Sequence, residues 1–231
     1  MNFPYSIIDL THGLTSDCPS WDKTCGFQYH NVIDYQDCDT GLPFRVQHLI
    51  MHAGIGTHID APAHCIKGGK SVAELDLNDL LAPAVVIDVS QKINADYKVV
   101  VEDVMNFESR YGKIETHSFV IIYTGWDQYW LEPEKYHNNY NYPFIAQEAA
   151  ELLLEREIVG LGIDTLSPDR PGAGYPVHQL FLGAGKYLIE NVANAVKLPA
   201  VGSYILALPL KLLQGTEAPL RLVALINKER K

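Results

Sequence analysis

An α/β domain is predicted by two features of the sequence: short runs rich in valine and isoleucine, and helix-forming segments that separate them. The runs have the length and the polar or glycine ends of buried strands. Strands that alternate with helices along a chain are typical of α/β domains. A length of 231 residues fits one such domain with a substantial core. We therefore predict a single domain over residues 1–231.

The predicted elements follow one another along most of the chain. The first 60 residues, with many aromatic residues, prolines and glycines, are predicted to form strands and loops, including strands in SIIDLTH (6–12) and FRVQHLIMH (44–52). Further strands are predicted within residues 84–89, 119–125, 158–164, 203–210 and 221–226. Helices are predicted at 101–112 and 146–158. The tyrosine-rich segment 129–143 is predicted to be a surface loop, with a lid or a subunit contact as the alternative.

Composition and charge exclude several classes of protein. The net charge is −10 and the sequence contains no run of lysine or arginine, so a nucleic-acid partner is not expected. The apolar runs are too short to span a bilayer, and the first ten residues lack the pattern of a signal peptide, so no membrane partner is expected. The four cysteines form no C-x-x-C pair, which indicates a reduced, cytoplasmic protein.

The segment GIGTHIDAPAH (54–64) concentrates polar side chains in otherwise small or apolar sequence. In an extended strand His58 and Asp60 point to the same face, and imidazole with carboxylate suits Zn²⁺ or Mn²⁺. His64 follows just after Pro62, which stiffens the chain. Burial of such groups is costly unless they have partners. An H-x-D pair alone is also compatible with a hydrogen-bonded structural pair.

A metal site needs more ligands than this segment offers. His178 and Glu190 stand out because each lies in mostly apolar or small sequence. Asp164 ends a predicted strand, where α/β proteins often place functional groups. The Asp-Thr-Leu-Ser-Pro sequence there also suits a turn or cap, and both interpretations stay open.

The chain resembles the cyclase-like metal-dependent hydrolases, a family that includes bacterial kynurenine formamidase and isatin hydrolase. The resemblance rests on G-T-H-x-D-x-P-x-H at 56–64 and extends over nearly the full length. Further motifs fall in the family's order: IDLTHGL (8–14), APAVVIDVS (82–90), YTGWDQYW (123–130), GIDTLSPD (162–169), His178 with Glu190, ALPLKL (207–212) and APLRLVAL (218–225).

The resemblance implies a mixed α/β domain of the cyclase-like, swivelling β/β/α type, in which strands surround one or two central helices. It implies a divalent metal, Zn²⁺ or Mn²⁺, held by His58, Asp60, His178 and Glu190, with Asp60 able to bridge two metals. It implies that His64 is the catalytic acid–base residue. It also implies a homodimer or homotetramer with N-terminal segments packed across subunits.

One position departs from the family signature. The usual motif has another histidine four residues before His58, and this chain has Gly54 there. His52 and His48 lie upstream with the same strand parity, but His52 would lie about 20 Å from His58 along an extended strand. It could join the site only if the chain bends. The loss of this histidine favours one bound metal over two. It also means that the substrate of a related enzyme should not be assigned to this chain.

The leading hypothesis is a metal-dependent hydrolase of an amide, lactam or lactone bond in a small molecule, aromatic molecules included. Trp21 and Trp126 are candidate substrate contacts, with a core or subunit-contact role as the alternative. A second hypothesis is a metal-containing sensor or binding protein that has lost catalysis, and a third is a purely structural metal. A Cys65–His64 nucleophile pair is disfavoured because adjacent strand residues face opposite sides.

Overall fold

The computed structural model describes residues 3–24, 26–39 and 41–228. Within these ranges the strands are β1 (Tyr5–Asp9), β2 (Phe27–Ile33), β3 (Val46–Met51), β4 (His58–Asp60), β5 (Leu81–Asp88), β6 (Lys98–Val99), β7 (Phe119–Tyr123), β8 (Phe144–Ile145), β9 (Gly160–Ile163), β10 (Tyr187–Glu190), β11 (Ser203–Leu206), β12 (Glu217–Pro219) and β13 (Val223–Asn227). The α-helices are α1 (Val101–Tyr111), α2 (Pro133–His137), α3 (Gln147–Glu155) and α4 (Pro176–Gly183).

A nine-stranded mixed sheet forms the centre of the fold, in the order β1-β13-β11-β5-β7-β9-β10-β4-β12. Its four middle strands, from β5 to β10, run parallel. Each connection between them contains a helix, α1, α3 or α4, because parallel neighbours need a long crossover. The strands on both flanks pair antiparallel, so β4 and β12 complete one edge of the sheet.

The two faces of this sheet pack against different partners. The apolar residues of α1, α3 and α4, among them Phe107, Leu153 and Phe181, cover one face. The cluster on the other face is built from strands and their connections, with Ile59, Tyr187 and no residue of an α-helix among those described. The longer helices therefore lie on one side of the sheet, and the expectation of a central helix enclosed by strands is wrong. Strand residues fill the interior where that helix was expected.

Most predicted elements are confirmed. The strand predictions at 84–89, 119–125, 158–164, 203–210 and 221–226 correspond to β5, β7, β9, β11 and β13, and the two predicted helices correspond to α1 and α3. The N-terminal strand predictions correspond to β1 and β3. In the described part of the chain, no helix is long and apolar enough to cross a membrane. The single domain over residues 1–231 stays a prediction.

The surface-loop prediction for residues 129–143 is wrong. This segment contains α2 and packs into a third apolar cluster, in which Tyr136 and Tyr142 are fully buried. The Tyr136 hydroxyl hydrogen-bonds the Asn191 Oδ1 atom at 2.8 Å and the Asp164 carbonyl at 2.9 Å. Tyrosine can be buried in this way because its one polar group finds partners. The polar composition of the segment concealed these apolar contacts.

Candidate metal centre and active site

One edge of the sheet places four titratable side chains on the same face. His58 and Asp60 are two residues apart on β4, so both point to that face. In the antiparallel pairing with β10, Glu190 lies opposite His58, and in the pairing with β12, Glu217 lies opposite Asp60. Residues directly opposite in an antiparallel pair share a face. Three neighbouring strands therefore bring together residues separated by up to 159 positions in the sequence.

His178 enters this cluster from α4. The Asp169 carboxylate accepts hydrogen bonds from the backbone N–H groups of Val177 and His178, which fixes the first turn of the helix. The same carboxylate lies 2.8 Å from His178 Nδ1. Because the Asp169 carboxylate accepts the proton at Nδ1, the Nε2 atom of His178 faces the cluster. Histidine ligands of metals are commonly oriented by such a partner.

His58 is oriented in a similar way by the backbone. Its Nδ1 donates to the Gly56 carbonyl at 2.9 Å, so its Nε2 also faces the carboxylates. Gly56 has a φ of 63°, and a Cβ there would overlap the Leu14 side chain. Glycine is therefore required at the turn that leads into β4.

The four predicted ligands converge. His58 Nε2 lies 3.4 Å from Asp60 Oδ1 and 3.4 Å from Glu190 Oε2. His178 Nε2 lies 3.4 Å from Glu190 Oε1 and 3.7 Å from Asp60 Oδ2. All four residues are buried, with exposures of 1–6%. The structure thus brings together two imidazole nitrogens and two carboxylates, all on buried side chains.

Electrostatic coupling dominates this cluster. Burial opposes protonation of His58, but the carboxylates of Asp60 and Glu190 outweigh it and raise its pKa to about 10. Burial would raise the pKa of Asp60, yet the adjacent imidazoles hold it well below its usual range. Burial and the neighbouring Asp60 charge raise the pKa of Glu190. Two carboxylates therefore attract positive charge to this space, and a metal ion competes with protons for the same groups.

The donor set fits a divalent cation. Asp60 Oδ1 is buried and has no hydrogen-bond partner among the described residues, although such an atom normally has one. Ligand atoms of Asp60, His178 and Glu190 lie within 4.8 Å of one another, as do those of His58, Asp60 and Glu217. Imidazole and carboxylate ligands suit Zn²⁺ and Mn²⁺.

His64 lies beside the cluster, at the end of the 3₁₀ turn Pro62–His64. Its ring centre is 5.9 Å from that of His178, and its side chain is 32% exposed. His64 Nδ1 lies 3.2 Å from Glu217 Oε2. This contact raises the pKa of His64, despite the opposing effect of partial burial. The half-buried imidazole therefore contacts both the cluster and open space.

A cavity of about 820 Å³ opens onto the cluster and is of the size that small-molecule ligands occupy. Trp21, Tyr175, Leu166 and Ile66 contribute apolar or aromatic surface to it. The Trp21 ring packs at 4.7 Å from that of Tyr140 and at 6.4 Å from that of Tyr175. Trp21 therefore lines the cavity beside the cluster, and its role as a substrate contact stays a prediction.

Trp126 is not among the residues that line this cavity. It is buried in the third apolar cluster, and its Nε1 donates to the Tyr136 carbonyl at 2.8 Å. Asp164 supports the same region, since its carboxylate accepts from the backbone N–H groups of Thr124 and Trp126. These contacts agree with the interpretation of Asp164 as a turn or cap residue. Trp126 is a core residue.

Neither upstream histidine takes the place of the missing signature histidine. His52 lines the cavity but does not belong to either group of convergent ligand atoms in the described residues. His48 lies on β3, where its ring packs 5.0 Å from that of His30. The space beside Gly54 is filled instead by Glu217: a Cβ at residue 54 would overlap Glu217 Oε1 and lie 3.3 Å from His58 Nε2.

Two residues of the site were missed by the sequence analysis. Asp169 ends the motif GIDTLSPD, and Glu217 directly precedes the motif APLRLVAL, so both lay at the borders of motifs that were singled out. A lone acidic residue at the border of a motif carries no other signal. Only the pairing of β12 with β4 shows that Glu217 lies opposite Asp60.

Comparison with known proteins agrees with this geometry. The family model described as "Putative cyclase" matches residues 8–170, which is more than half of the chain. The chain belongs to the cyclase family. The resemblance inferred from the motifs is thereby confirmed.

Individual cyclase-family proteins are similar along most of the chain. Isatin hydrolase of Roseibium aggregatum is 31% identical over 217 residues, covering 87% of this chain and 81% of the relative. Kynurenine formamidase of Bacillus cereus is 30% identical over 228 residues, covering 94% and 95%. The solved structure of isatin hydrolase A from Ralstonia solanacearum aligns with a TM-score of 0.88 and 31% identity, covering 96% of this chain and 92% of that one.

These similarities confirm the mixed α/β fold of cyclase-like type. They also confirm the class of activity, a metal-dependent hydrolase of the cyclase family that acts on a C–N bond. The convergent histidines and carboxylates agree with a divalent metal.

Proposed function

We propose that this protein hydrolyses the amide or lactam bond of a small aromatic molecule, with Zn²⁺ or Mn²⁺ held by His58, Asp60, His178 and Glu190. The observation that carries the proposal is the convergence of these buried side chains, with four nitrogen–oxygen separations of 3.4–3.7 Å, at one end of a cavity. A divalent metal at such a site lowers the pKa of water from about 15.7 to about 7 and polarises a carbonyl group.

The protein's own residues orient the ligands and exclude water. Asp169 and the Gly56 carbonyl hold the two imidazoles with Nε2 directed inward, so little reorganisation is needed when the cation binds. With neutral imidazoles, the two carboxylates of Asp60 and Glu190 balance the charge of one divalent ion. These four residues leave ligand positions open on a five- or six-coordinate metal.

His64 is proposed to transfer protons between the attacking water and the leaving nitrogen. Its Nδ1 is held by Glu217, which leaves Nε2 for exchange with the substrate. Histidine is suited to this role near neutral pH, and such proton transfer contributes about 10²- to 10⁴-fold to a rate. Cys65 also lines the cavity, but burial raises the pKa of its thiol, which disfavours a thiolate nucleophile.

The shape and lining of the cavity support an aromatic substrate. Trp21 and Tyr175 provide flat apolar surfaces next to the metal ligands, and aromatic rings pack well against such surfaces. The similar proteins are named for isatin, a cyclic aromatic amide, and for a formylated aromatic amine. We propose lactams of the isatin type and N-formyl arylamines as the first substrate classes, with aromatic lactones as the third.

Removal and return of the metal tests this proposal. The chelator-treated protein is expected to lose both its metal and its activity, because the metal is what lowers the pKa of water at this site. Addition of Mn²⁺ or Zn²⁺ is expected to restore turnover of at least one member of a panel of N-formyl arylamines, isatin-type lactams and lactones. Elemental analysis and initial rates measure both quantities.

Two results would contradict the proposal. Absence of both metal binding and turnover would exclude a metal-dependent hydrolase of this class. Stoichiometric metal binding without turnover of any panel member would favour a metal-containing sensor or binding protein instead. Unfolding of the whole chain on chelation would favour a structural metal, because such sites couple metal binding to folding.

We further propose that the protein assembles as a homodimer or homotetramer through the hairpin of β2 and β3. This hairpin is a separate two-stranded sheet and exposes large apolar side chains, among them Tyr29, Leu49 and Ile50 with exposures of 57–60%. Two strands alone are marginally stable, and exposed apolar patches of this kind mark interaction surfaces.

The free thiols of Cys38 and Cys65 support a cytoplasmic location.

Sedimentation analysis is expected to give a mass of two or four times 25.8 kDa. The Leu49→Asp variant is expected to shift the population toward the monomer, because a buried charge at the interface has no partner. An Asp96→Asn variant, at an 82% exposed side chain outside the hairpin, is the control. A monomeric wild-type protein at micromolar concentration would contradict the assembly.

A further inference from the structure

We infer that Glu217 replaces the missing signature histidine as a metal ligand and completes a second divalent-cation position with His58 and Asp60. The inference deepens the proposed function and rests on the metal centre proposed there. The Glu217 carboxylate on β12 would thus take the ligand position that the family motif gives to a histidine at residue 54, just before β4. This assignment also revises the sequence-based preference for one metal. Because His58 Nδ1 donates to the Gly56 carbonyl, its one remaining nitrogen serves this second ion, and Asp60, His178 and Glu190 hold the first.

The register of the sheet places Glu217 beside the other ligands. Glu217 lies directly opposite Asp60 in the β4–β12 pair, so its side chain shares the face on which His58 and Asp60 lie. Its Oε1 occupies the space into which a side chain at residue 54 would project. Because residue 54 has no side chain, the Glu217 carboxylate can occupy this space.

Asp60 has one unsatisfied oxygen at this position. Asp60 is 1% exposed, and its Oδ1 has no hydrogen-bond partner among the described residues. His58 Nε2 lies 3.4 Å from this atom. A cation shared by His58, Asp60 and Glu217 would satisfy this oxygen, and ligand atoms of the three residues lie within 4.8 Å of one another.

The two oxygens of Glu217 face different groups. Oε2 contacts His64 Nδ1 at 3.2 Å, whereas Oε1 faces the backbone of Gly54. One carboxylate can therefore orient the acid–base histidine and bind a cation at the same time. The Glu217 carboxylate therefore couples the cation position to His64.

The exchange also changes the chemistry of the second position. One imidazole and two carboxylates form a harder, more anionic donor set than two imidazoles and one carboxylate. Carboxylate-rich sites favour Mn²⁺ relative to Zn²⁺, whereas imidazole favours Zn²⁺. With two divalent ions, the three carboxylates of the cluster leave one unit of positive charge, which a hydroxide from water would neutralise. We therefore expect the second position to prefer Mn²⁺ more strongly than a signature-histidine site does.

Metal stoichiometry of variants tests this assignment without reference to activity. In equilibrium dialysis against buffered Mn²⁺, followed by elemental analysis, the wild-type protein is expected to bind two ions per chain. Glu217→Ala is expected to retain one ion at unchanged affinity and to bind the other about 100-fold more weakly or not at all, since loss of even an indirect partner costs about 10- to 100-fold. Glu217→Gln, which can still accept from His64, is expected to weaken the same ion.

A rescue variant distinguishes ligation from simple support of the fold. In the wild-type background, Gly54→His is expected to lower the thermal midpoint, because the new side chain overlaps Glu217. In the Glu217→Ala background that overlap is absent, and the double variant is expected to regain the second ion and to bind Zn²⁺ more tightly relative to Mn²⁺. Glu134→Ala, at an 84% exposed carboxylate away from the cavity, should retain both ions.

The assignment is overturned if Glu217→Ala binds two ions with wild-type affinities, or if the wild-type protein binds one ion and Glu217→Ala leaves its affinity unchanged. It is also overturned if the Gly54→His, Glu217→Ala protein folds with a wild-type midpoint but does not regain the ion. Failure of the proposed function has a different signature: two ions would bind and respond to Glu217, while no panel substrate would be hydrolysed.

Discussion

Replacement of Asp60 by asparagine is expected to remove the bound metal and to reduce kcat/KM by about 10³-fold or more, the equivalent of about 4 kcal/mol of transition-state stabilisation. Asp60 is the one described residue that belongs to both groups of convergent ligand atoms. Its two oxygens face different imidazoles, His58 from Oδ1 and His178 from Oδ2. No other single substitution removes a ligand from both groups.

The same change is expected to destabilise the metal-free protein. Asp60 holds the buried imidazoles in their charged forms, and the pKa of His58 is raised to about 10 with its help. Removal of one partner from a buried ion pair costs about 3–5 kcal/mol, because the other charge is left without compensation. Asparagine retains the shape of the side chain, so the loss reflects charge rather than packing.

Thermal unfolding with and without metal separates these effects. At a free metal concentration 100 times Kd, binding adds about 2.7 kcal/mol to the free energy of unfolding of the wild-type protein. At about 2–4 °C per kcal/mol for a chain of this length, the midpoint should rise by roughly 5–11 °C. The Asp60→Asn midpoint should start lower and should not respond to metal.

Asp96→Asn is the matched control, since the Asp96 side chain is 82% exposed and makes only a 3.5 Å contact with Arg170. It is expected to retain the midpoint, the metal response and the kinetics of the wild-type protein. A metal-responsive Asp60→Asn protein with wild-type kinetics would show that the cation binds elsewhere, and the proposed centre would then be wrong.

The sequence predicted the parts of the fold that depend on local patterns. The buried strands β5 and β7 are continuous valine and isoleucine runs, and α3 is a long run of good helix formers. Such signals lie within about ten residues of one another. The segment 129–143 was misjudged because the burial of Tyr136 and Tyr142 depends on contacts with Asp164, Asn191 and Asp169, which are distant in sequence.

The candidate site was predictable to the extent that motifs identify it. His58 and Asp60 share a strand face by simple alternation, whereas His178 and Glu190 required the family resemblance, because no local rule brings α4 and β10 next to β4. Glu217 was missed for the same physical reason. Its contact with the site depends on the pairing of β12 with the edge strand β4, and its role depends on the absence of a side chain at Gly54.

Replacement of His64 by alanine is expected to lower kcat by about 10²- to 10⁴-fold, the contribution typical of a positioned acid–base group. His64 contacts Glu217 through Nδ1 and lies in the cavity wall, beside the buried ligands but outside both of their groups. Metal content is therefore expected to stay at the wild-type level, and KM should change less than kcat.

Chemical rescue distinguishes proton transfer by His64 from a purely structural role. Alanine leaves space at the cavity wall, so added imidazole is expected to restore part of the rate of His64→Ala in a concentration-dependent manner. His117→Asn is the control, because His117 is exposed and has a φ of 61°, which asparagine tolerates. Its activity should equal that of the wild-type protein, with or without imidazole.

The outcomes of this experiment separate the two functional hypotheses. A loss of turnover with full metal content and rescue by imidazole requires an enzyme in which His64 carries protons. Unchanged turnover would assign proton transfer to another group and would reduce the Glu217–His64 contact to a structural one. The sensor hypothesis would be favoured if the wild-type protein and His64→Ala bound metal and an aromatic ligand equally well and neither turned over any substrate. Binding alone requires no proton carrier.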